Sequence, residues 1–180
     1  MPQADLFKET LKNPYNFDFL TLEKDARERE LERGLIANIS KFILEMGKGF
    51  AFLGEQYQLT INRKDYFLDL LFYHVRLHCY VVIELKIGEF EPEYLGKMNF
   101  YLSAVDSLLK TEADNQSIGI LLCKNQNVLD VEFALRDINK PIGVSEFSFK
   151  ELPVKIQNQM PSAEELNNEL SNLERHHEHR

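Results

Sequence analysis

The spacing of hydrophobic positions changes several times along this chain, and each change marks an element. Leu31, Leu35, Ile39, Phe42, Ile43 and Met46 recur every three to four residues, the period of a helix with one buried face. Asp25 followed by Glu28 resembles a capping box, and Gly47 and Gly49 end the run, so a single helix of roughly five turns is predicted. The period then shortens. Phe50 to Ile61 reads as a strand broken by Gly54, Asn62-Arg63-Lys64-Asp65 as a turn, and Tyr66 to His74 as a second strand. Val75 to His78 turns again, and Cys79 to Ile87 forms a third strand rich in β-branched residues. Links this short imply an antiparallel meander. After Gly88 and Pro92, Glu93 to Lys110 is helical, with Tyr94, Met98, Tyr101, Val105 and Leu108 on one side. Ser117 to Cys123 is a short apolar run, the signature of a strand buried on both faces. Val128 to Ile138 reads as a second crossover helix and Ile142 to Val144 as a short strand. The order α-β-β-β-α-β-α-β predicts an α/β fold, helices covering a mixed sheet.

The ends carry less pattern. Residues 1–22 hold Pro2, Pro14 and the aromatics Phe7, Tyr15, Phe17 and Phe19 without clear periodicity, and read as a lead-in to a domain over 23–150. Within 151–180, SAEELNNELSNLE from Ser162 predicts a short acidic peripheral helix. The closing RHHEHR reads as an expression tag, its remnant or a solvated tail rather than a metal cluster, because nothing upstream positions it.

Composition narrows the class. A chain of 180 residues supports one domain with a full core, and 44% hydrophobic with 28% charged residues is ordinary for a soluble protein. No apolar run is long enough to span a membrane, and MPQADLFKET lacks the basic start and apolar stretch of a signal peptide. Cys79 and Cys123 show no CxxC spacing and suggest a reducing compartment, so a cytoplasmic location with no membrane partner is expected. The net charge of −8 argues against tight non-specific binding to phosphates. Two points weaken that objection: acids are dense after Pro161, and acidic clusters are what a divalent metal site requires.

The informative residues lie on the second and third predicted strands. Alternation puts Tyr80, Val82, Glu84 and Lys86 on one face of the third strand, with Glu84 and Lys86 about 7 Å apart. A hairpin turning symmetrically about Arg76-Leu77 places Asp69 opposite Glu84, with Cβ atoms about 5 Å apart. Facing carboxylates flanked by apolar residues repel each other and lose water, which disfavours folding. Lys86 offsets part of that penalty, and a divalent cation with hard oxygen ligands, Mg²⁺ or Mn²⁺, offsets more. The alternative is a buried Lys86 paired with one acid while the other turns to solvent after a register slip. Glu32 stands at the margin of the first helix's apolar stripe, whereas Glu30 faces outward. On spacing alone Glu32 is better read as a solvated rim glutamate than as a third acid of the site.

FLDLLFYHVRLHCYVVIELKIGEFEPEYLGKMNFYLSAVD, with IGILLCK, ALRDINKPIGVSEF and GFAFLGEQY, closely resembles the C-terminal domain of the bacterial YhcG-like family. That family is grouped with the PD-(D/E)xK nucleases, similar in fold to restriction endonucleases and archaeal Holliday junction resolvases. The likeness runs from about Asn13 to Phe147 and implies a restriction endonuclease-like αβββαβ core with flanking helices. It assigns the "PD" aspartate to Asp69, with Leu68 in place of proline, and (D/E)xK to Glu84-Leu85-Lys86. It assigns the helical acid to Glu32. A supporting Gln-xxx-Tyr element falls on Lys97 and Tyr101, lysine replacing glutamine, where Lys97 is open to a phosphate role and Tyr101 to a plain core role.

The resemblance implies a Mg²⁺-dependent phosphodiesterase, with Mn²⁺ as a substitute, acting on nucleic acid, DNA before RNA and branched DNA within its range. Asp69, Glu84 and the carbonyl of Leu85 would hold the metal, Lys86 would orient or deprotonate the attacking water, and Glu32 would anchor the metal's outer shell or a second ion. Arg63, Lys64, Arg76 and Lys97 are candidate phosphate contacts that position rather than specify, each equally readable as a solvated charge. Full-length members of the family carry an additional N-terminal domain thought to bind DNA, which is expected to be absent here; a homodimer is expected by analogy with resolvases. Two other readings compete: a catalytically silent nuclease-fold module that binds nucleic acid or a protein, and a hydrolase of small phosphoesters. The last is disfavoured because the sequence has no phosphate-cradling Gly-rich loop.

Overall fold

The computed structural model describes residues 3–152 together with 167, 168, 170 and 171. In chain order the elements are α1 (Gln3–Thr10), β1 (Tyr15–Leu22), α2 (Glu28–Ala37), α3 (Ile39–Met46), β2 (Phe50–Ile61), β3 (Lys64–His74), β4 (Cys79–Glu89), α4 (Glu93–Leu108), β5 (Ile118–Asn125), α5 (Val128–Leu135) and β6 (Ile142–Glu151). The six strands form one mixed sheet in the order β1-β6-β5-β4-β3-β2. The unit Met1–Lys150 holds this sheet; in the second unit, Glu151–Arg180, the described residues Asn167, Asn168, Leu170 and Ser171 are helical and exposed.

Turn chemistry sets the meander. The β2–β3 hairpin pairs Ile61 with Lys64 and closes through Asn62 (φ 49°) and Arg63 (φ 65°), the two consecutive left-handed residues that a tight hairpin loop needs. At the β3–β4 turn, His74 pairs with Cys79, and its Nδ1 accepts the N–H groups of Arg76 (3.3 Å) and Leu77 (3.1 Å). Beyond β4 the connections lengthen into helices, and β4, β5 and β6 run parallel.

Both faces of the sheet are covered. Leu31 and Leu35 of α2 and Phe42 and Met46 of α3 pack with Phe17, Phe72, Ile83, Leu85, Ile120 and Leu122. Leu95, Met98, Leu102 and Val105 of α4 and Val131 of α5 pack with Leu71, Val82, Leu121 and Val144 on the other side. Each fully buried Leu or Ile contributes about 1.5–3 kcal/mol. Cys79 belongs to the first core and Cys123 to the second, so the sheet separates the two thiols. No helix among the described residues is long and apolar enough to cross a membrane.

Five expectations need correction. Residues 1–22, expected as a lead-in, include α1 and an edge strand of the sheet, with Phe7, Tyr15 and Phe17 buried in the first core. The predicted five-turn helix is two helices, because Asn38 leaves helical geometry (φ −118°, ψ 41°) and its side-chain amide donates to the Gly34 carbonyl at 2.9 Å. Such local side-chain bonding competes with the helix ladder. No capping box joins Asp25 and Glu28; the N-cap is Arg27, whose N–H donates to Glu30 Oε2 at 3.0 Å. At the other end, β6 runs on to Glu151, well past the short strand expected, and Leu108 is exposed rather than part of the buried stripe of α4. RHHEHR lies outside the described residues.

Two glycines separate backbone need from backbone freedom. Gly49 has φ +97°, and a Cβ there would meet the His74 ring at 2.6 Å; a Cβ on Gly96, inside α4, would meet nothing within 4 Å. Gly49→Ala is expected to destabilise by roughly 1–3 kcal/mol and Gly96→Ala to stabilise by about 0.5–1 kcal/mol. Urea denaturation of the two variants beside wild type checks this; equal effects of the same sign would refute it.

Candidate active site and metal centre

The site forms where two strands part. β4 pairs with β5 through Lys86, but its ladder with β3 stops at Leu70–Ile83. That register would next bring Asp69 opposite Glu84, yet the ladder gives way to side chains. The Asp69 N–H donates to Glu84 Oε1 at 3.2 Å, and the Leu85 N–H donates to Asp69 Oδ2 at 2.9 Å. One residue pair further along the open edge, the Ile87 N–H donates to Glu28 Oε1 at 3.3 Å. Carboxylates from β3 and α2 thus satisfy backbone donors that the departing strand leaves behind, as buried backbone groups require.

β2 is irregular at the same level. Its register with β3 shifts between Phe52 and Gly54, and Gln56 adopts φ 42° between the pairs Glu55–Leu70 and Tyr57–Leu68. The Gln56 side-chain amide donates to Glu32 Oε2 at 2.8 Å and to Asp69 Oδ1 at 3.3 Å. Glu32 therefore reaches the site, held one amide away from Asp69.

Electrostatics follow from this geometry. Glu84 is 3% exposed. Burial holds its carboxyl well above the usual range, and Asp69 pushes the same way by charge and by a side-chain hydrogen bond. The Asp69 N–H and the Lys97 charge pull it down. Glu32 is also raised by burial, opposed by the Gln56 amide and reinforced by the charges of Asp69 and Glu55. Tyr101 is pushed up to about 12 by burial and then by Glu84 and Asp69. α4 thus sets Lys97 and Tyr101 near the acid pair, with the Lys97 amine 5.4 Å from the Tyr101 ring centroid.

Lys86 shares the sheet face of Glu84 and is half-buried, its amine 4.7 Å from the Tyr94 ring centroid. Among the described residues no ion pair joins Lys86 to an acid, so the pairing offered by the register-slip alternative does not form. The predicted phosphate contacts do not converge. Arg63 and Lys64 sit at the β2–β3 end of β3 and Arg76 beyond its other end, all exposed. Lys64 is roughly 17 Å along the strand from Asp69. Lys97, by contrast, is exposed and close enough to act on Glu84.

The donor set suits a hard divalent cation. The Glu84 carboxyl is nearly sealed from water and within hydrogen-bond reach of the Asp69 carboxyl, and among the described residues neither forms an ion pair with an ammonium group. Among the described residues no three His, Cys, Asp or Glu side chains group closely enough to hold a metal, which leaves Asp69 and Glu84 as a pair rather than a triad. The sequence reading missed Gln56 and the role of Glu28. Gly54, interrupting a strand pattern, was the signal for a bulge that re-aims its neighbours. Glu28 precedes Glu32 by four residues, on one helix face.

Comparison with known proteins identifies the family. The chain is 31% identical over 163 residues to YhcG of Escherichia coli (strain K12), covering 91% of this chain and 41% of that one. It therefore spans about two fifths of that relative. Among solved structures, a repair endonuclease from Pyrococcus abyssi matches 72% of this chain and 50% of its own, at 17% identity and a TM-score of 0.44. EndoMS in its apo form matches 72% and 48%, at 18% identity and a TM-score of 0.43. The model of one family, the YhcG PDDEXK nuclease domain, matches residues 8–163, and this chain belongs to that family.

Proposed function

We propose that this domain hydrolyses phosphodiester bonds in nucleic acid, DNA in preference to RNA, with Mg²⁺ or Mn²⁺ bound by Asp69, Glu84 and the Leu85 carbonyl. The observation that carries the reading is the strand parting, where the Glu84 carboxylate accepts the Asp69 N–H and the Asp69 carboxylate accepts the Leu85 N–H. A strand residue's N–H and C=O point to the same edge, so the Leu85 carbonyl opens on the gap its N–H shares with Asp69. When bound, the ion would polarise the phosphodiester and acidify a water.

The chain's own residues do the rest. Asp69 and Glu84 present a fixed pair of oxygens, because each is tied to backbone or side-chain donors. Lys86 shares the Glu84 face on a flexible four-carbon stem, which lets its ammonium leave the Tyr94 ring and orient or deprotonate the attacking water at Nζ. Lys97, exposed above the acids, would meet a phosphate oxygen, and Tyr101 beneath it would support that side chain. Arg63 and Lys64 would contact the nucleic-acid backbone further along the β2–β3 arm; Arg76, at the opposite end of the sheet, would serve a different phosphate. One domain carries one such site, so cutting both strands of a duplex would take two copies.

Cleavage of branched, duplex and single-stranded DNA and of RNA with Mg²⁺ or Mn²⁺ tests this directly. Lys86→Ala is expected to lower the rate by about 10²–10⁴-fold while keeping ion-dependent thermal stabilisation. Asp69→Asn should lose both. Wild-type rates in both variants would reject the assignment, and a domain with neither cleavage nor ion response would be a nuclease-fold binding module.

The raised Glu84 carboxyl gives a second test, in EDTA. A carboxyl whose folded value lies above its unfolded one binds its proton more tightly in the folded state. Its favourable contribution is present at low pH and is lost as pH climbs from the ordinary 4.5 through the folded value. Ion-free thermal stability should therefore fall over that range, and Glu84→Gln should flatten the fall and be the more stable protein at pH 7. A Glu84→Gln profile as steep as wild type would contradict this.

A further inference from the structure

Four non-glycine residues among those described have positive φ: Gln56, Asn62, Arg63 and His78. Asn62 and Arg63 close the β2–β3 hairpin, and His78 belongs to the β3–β4 turn, where reversal of the chain imposes the left-handed form. Gln56 alone lies inside a strand. The β2–β3 ladder continues on both sides of it, so no reversal is achieved there. A residue with a Cβ holds such a backbone only where its surroundings over-determine it, and such strain concentrates at functional positions.

The result is visible at the side chain. A bulge between Phe52 and Gly54 and the left-handed turn at Gln56 bring its amide between two acids from different elements, Glu32 of α2 at 2.8 Å and Asp69 of β3 at 3.3 Å. A primary amide has two N–H donors on one nitrogen and can serve two carboxylates together. An ammonium group in that place would neutralise the acids. A neutral amide fixes them and leaves their charge for a cation.

The geometry points to Gln56 as a positioning residue that sets the spacing of Asp69 and Glu32 for a divalent ion. This rests on the metal-dependent reading above. The chemistry explains why a strained backbone is kept where glycine would fit without strain: glycine would supply the φ and lose the amide.

The test uses Gln56→Gly and Gln56→Glu in the whole chain, with MnCl₂ and MgCl₂ as the probes. In EDTA, Gln56→Gly should unfold at or above the wild-type temperature, because glycine takes φ 42° freely. Its ion concentration for half-maximal thermal stabilisation should nevertheless rise by about 10–100-fold, with cleavage falling by a comparable factor. Gln56→Glu keeps the stem, removes the donors and adds a third charge, so it should be less stable in EDTA and gain more from added ion. A residue of purely structural importance would move stability and activity together.

Gln56→Gly with an unchanged ion midpoint and unchanged cleavage overturns the positioning role alone. So does a loss of ion response that merely follows a loss of stability in EDTA. A wild-type chain without ion response or cleavage overturns the nuclease reading and this inference with it.

Discussion

The parting of β3 from β4 after the Leu70–Ile83 pair is the constraint on which the site depends. β4 keeps its parallel partner β5 through Lys86, so it cannot curl away with β3, and its free edge exposes backbone donors at Leu85 and Ile87. An unpaired buried N–H is penalised by the full loss of its hydration. Carboxylates are strong acceptors for such donors. Asp69 and Glu28 fill that role, and so the acids are held by the same groups that ended the sheet. Once the edge opens, backbone donors hold the Asp69 and Glu84 carboxylates, and the Gln56 amide ties Asp69 to Glu32.

Holding acids this way leaves an electrostatic deficit. Glu84 is buried against Asp69 with no bonded cation, and burial drives its carboxyl toward the protonated form. Two hydrophobic cores absorb the penalty. Leu70, Ile83 and Leu85 anchor the strands on one face, while Leu71, Val82 and Tyr101 anchor them on the other. Because neither strand can rotate without exposing one of these sets, the Glu84 carboxyl stays buried, and a proton or a cation would relieve it.

The hairpin register was legible because period-2 alternation and a short symmetric turn leave little freedom, and a one-residue slip would reverse every buried side chain. The pairs Tyr73–Tyr80 and His74–Cys79 continue that register to the turn. β1 was also written in the sequence, as Tyr15, Phe17 and Phe19 alternating with Asn16 and Asp18, but Pro14 and the short span obscured it. The break at Asn38 was harder, since the apolar stripe runs through it and only the side-chain bond to Gly34 marks it. For Gln56 the pattern offered only the bulge signal of Gly54, not its partners. Its role arises where a bulge in β2, a helix margin and the end of a ladder meet, three features far apart in sequence.

The net charge of −8 takes on a different meaning once the acids near the strand parting are placed. Glu28, Glu32, Glu55, Asp69 and Glu84 converge by hydrogen bond or by charge on one stretch of the sheet, so local repulsion of a phosphate would be stronger there than the overall charge suggests. On the proposed reading, a divalent ion is then more than a Lewis acid. It would be the counter-charge that lets a polyanion approach these acids, since a bound cation inverts the local field. Exposed cations lie beside the acids at Lys97 and further out at Arg63 and Lys64, rather than among them. That arrangement would make the ion a condition for substrate binding as well as for chemistry, with the basic residues acting on phosphates flanking the one that reacts.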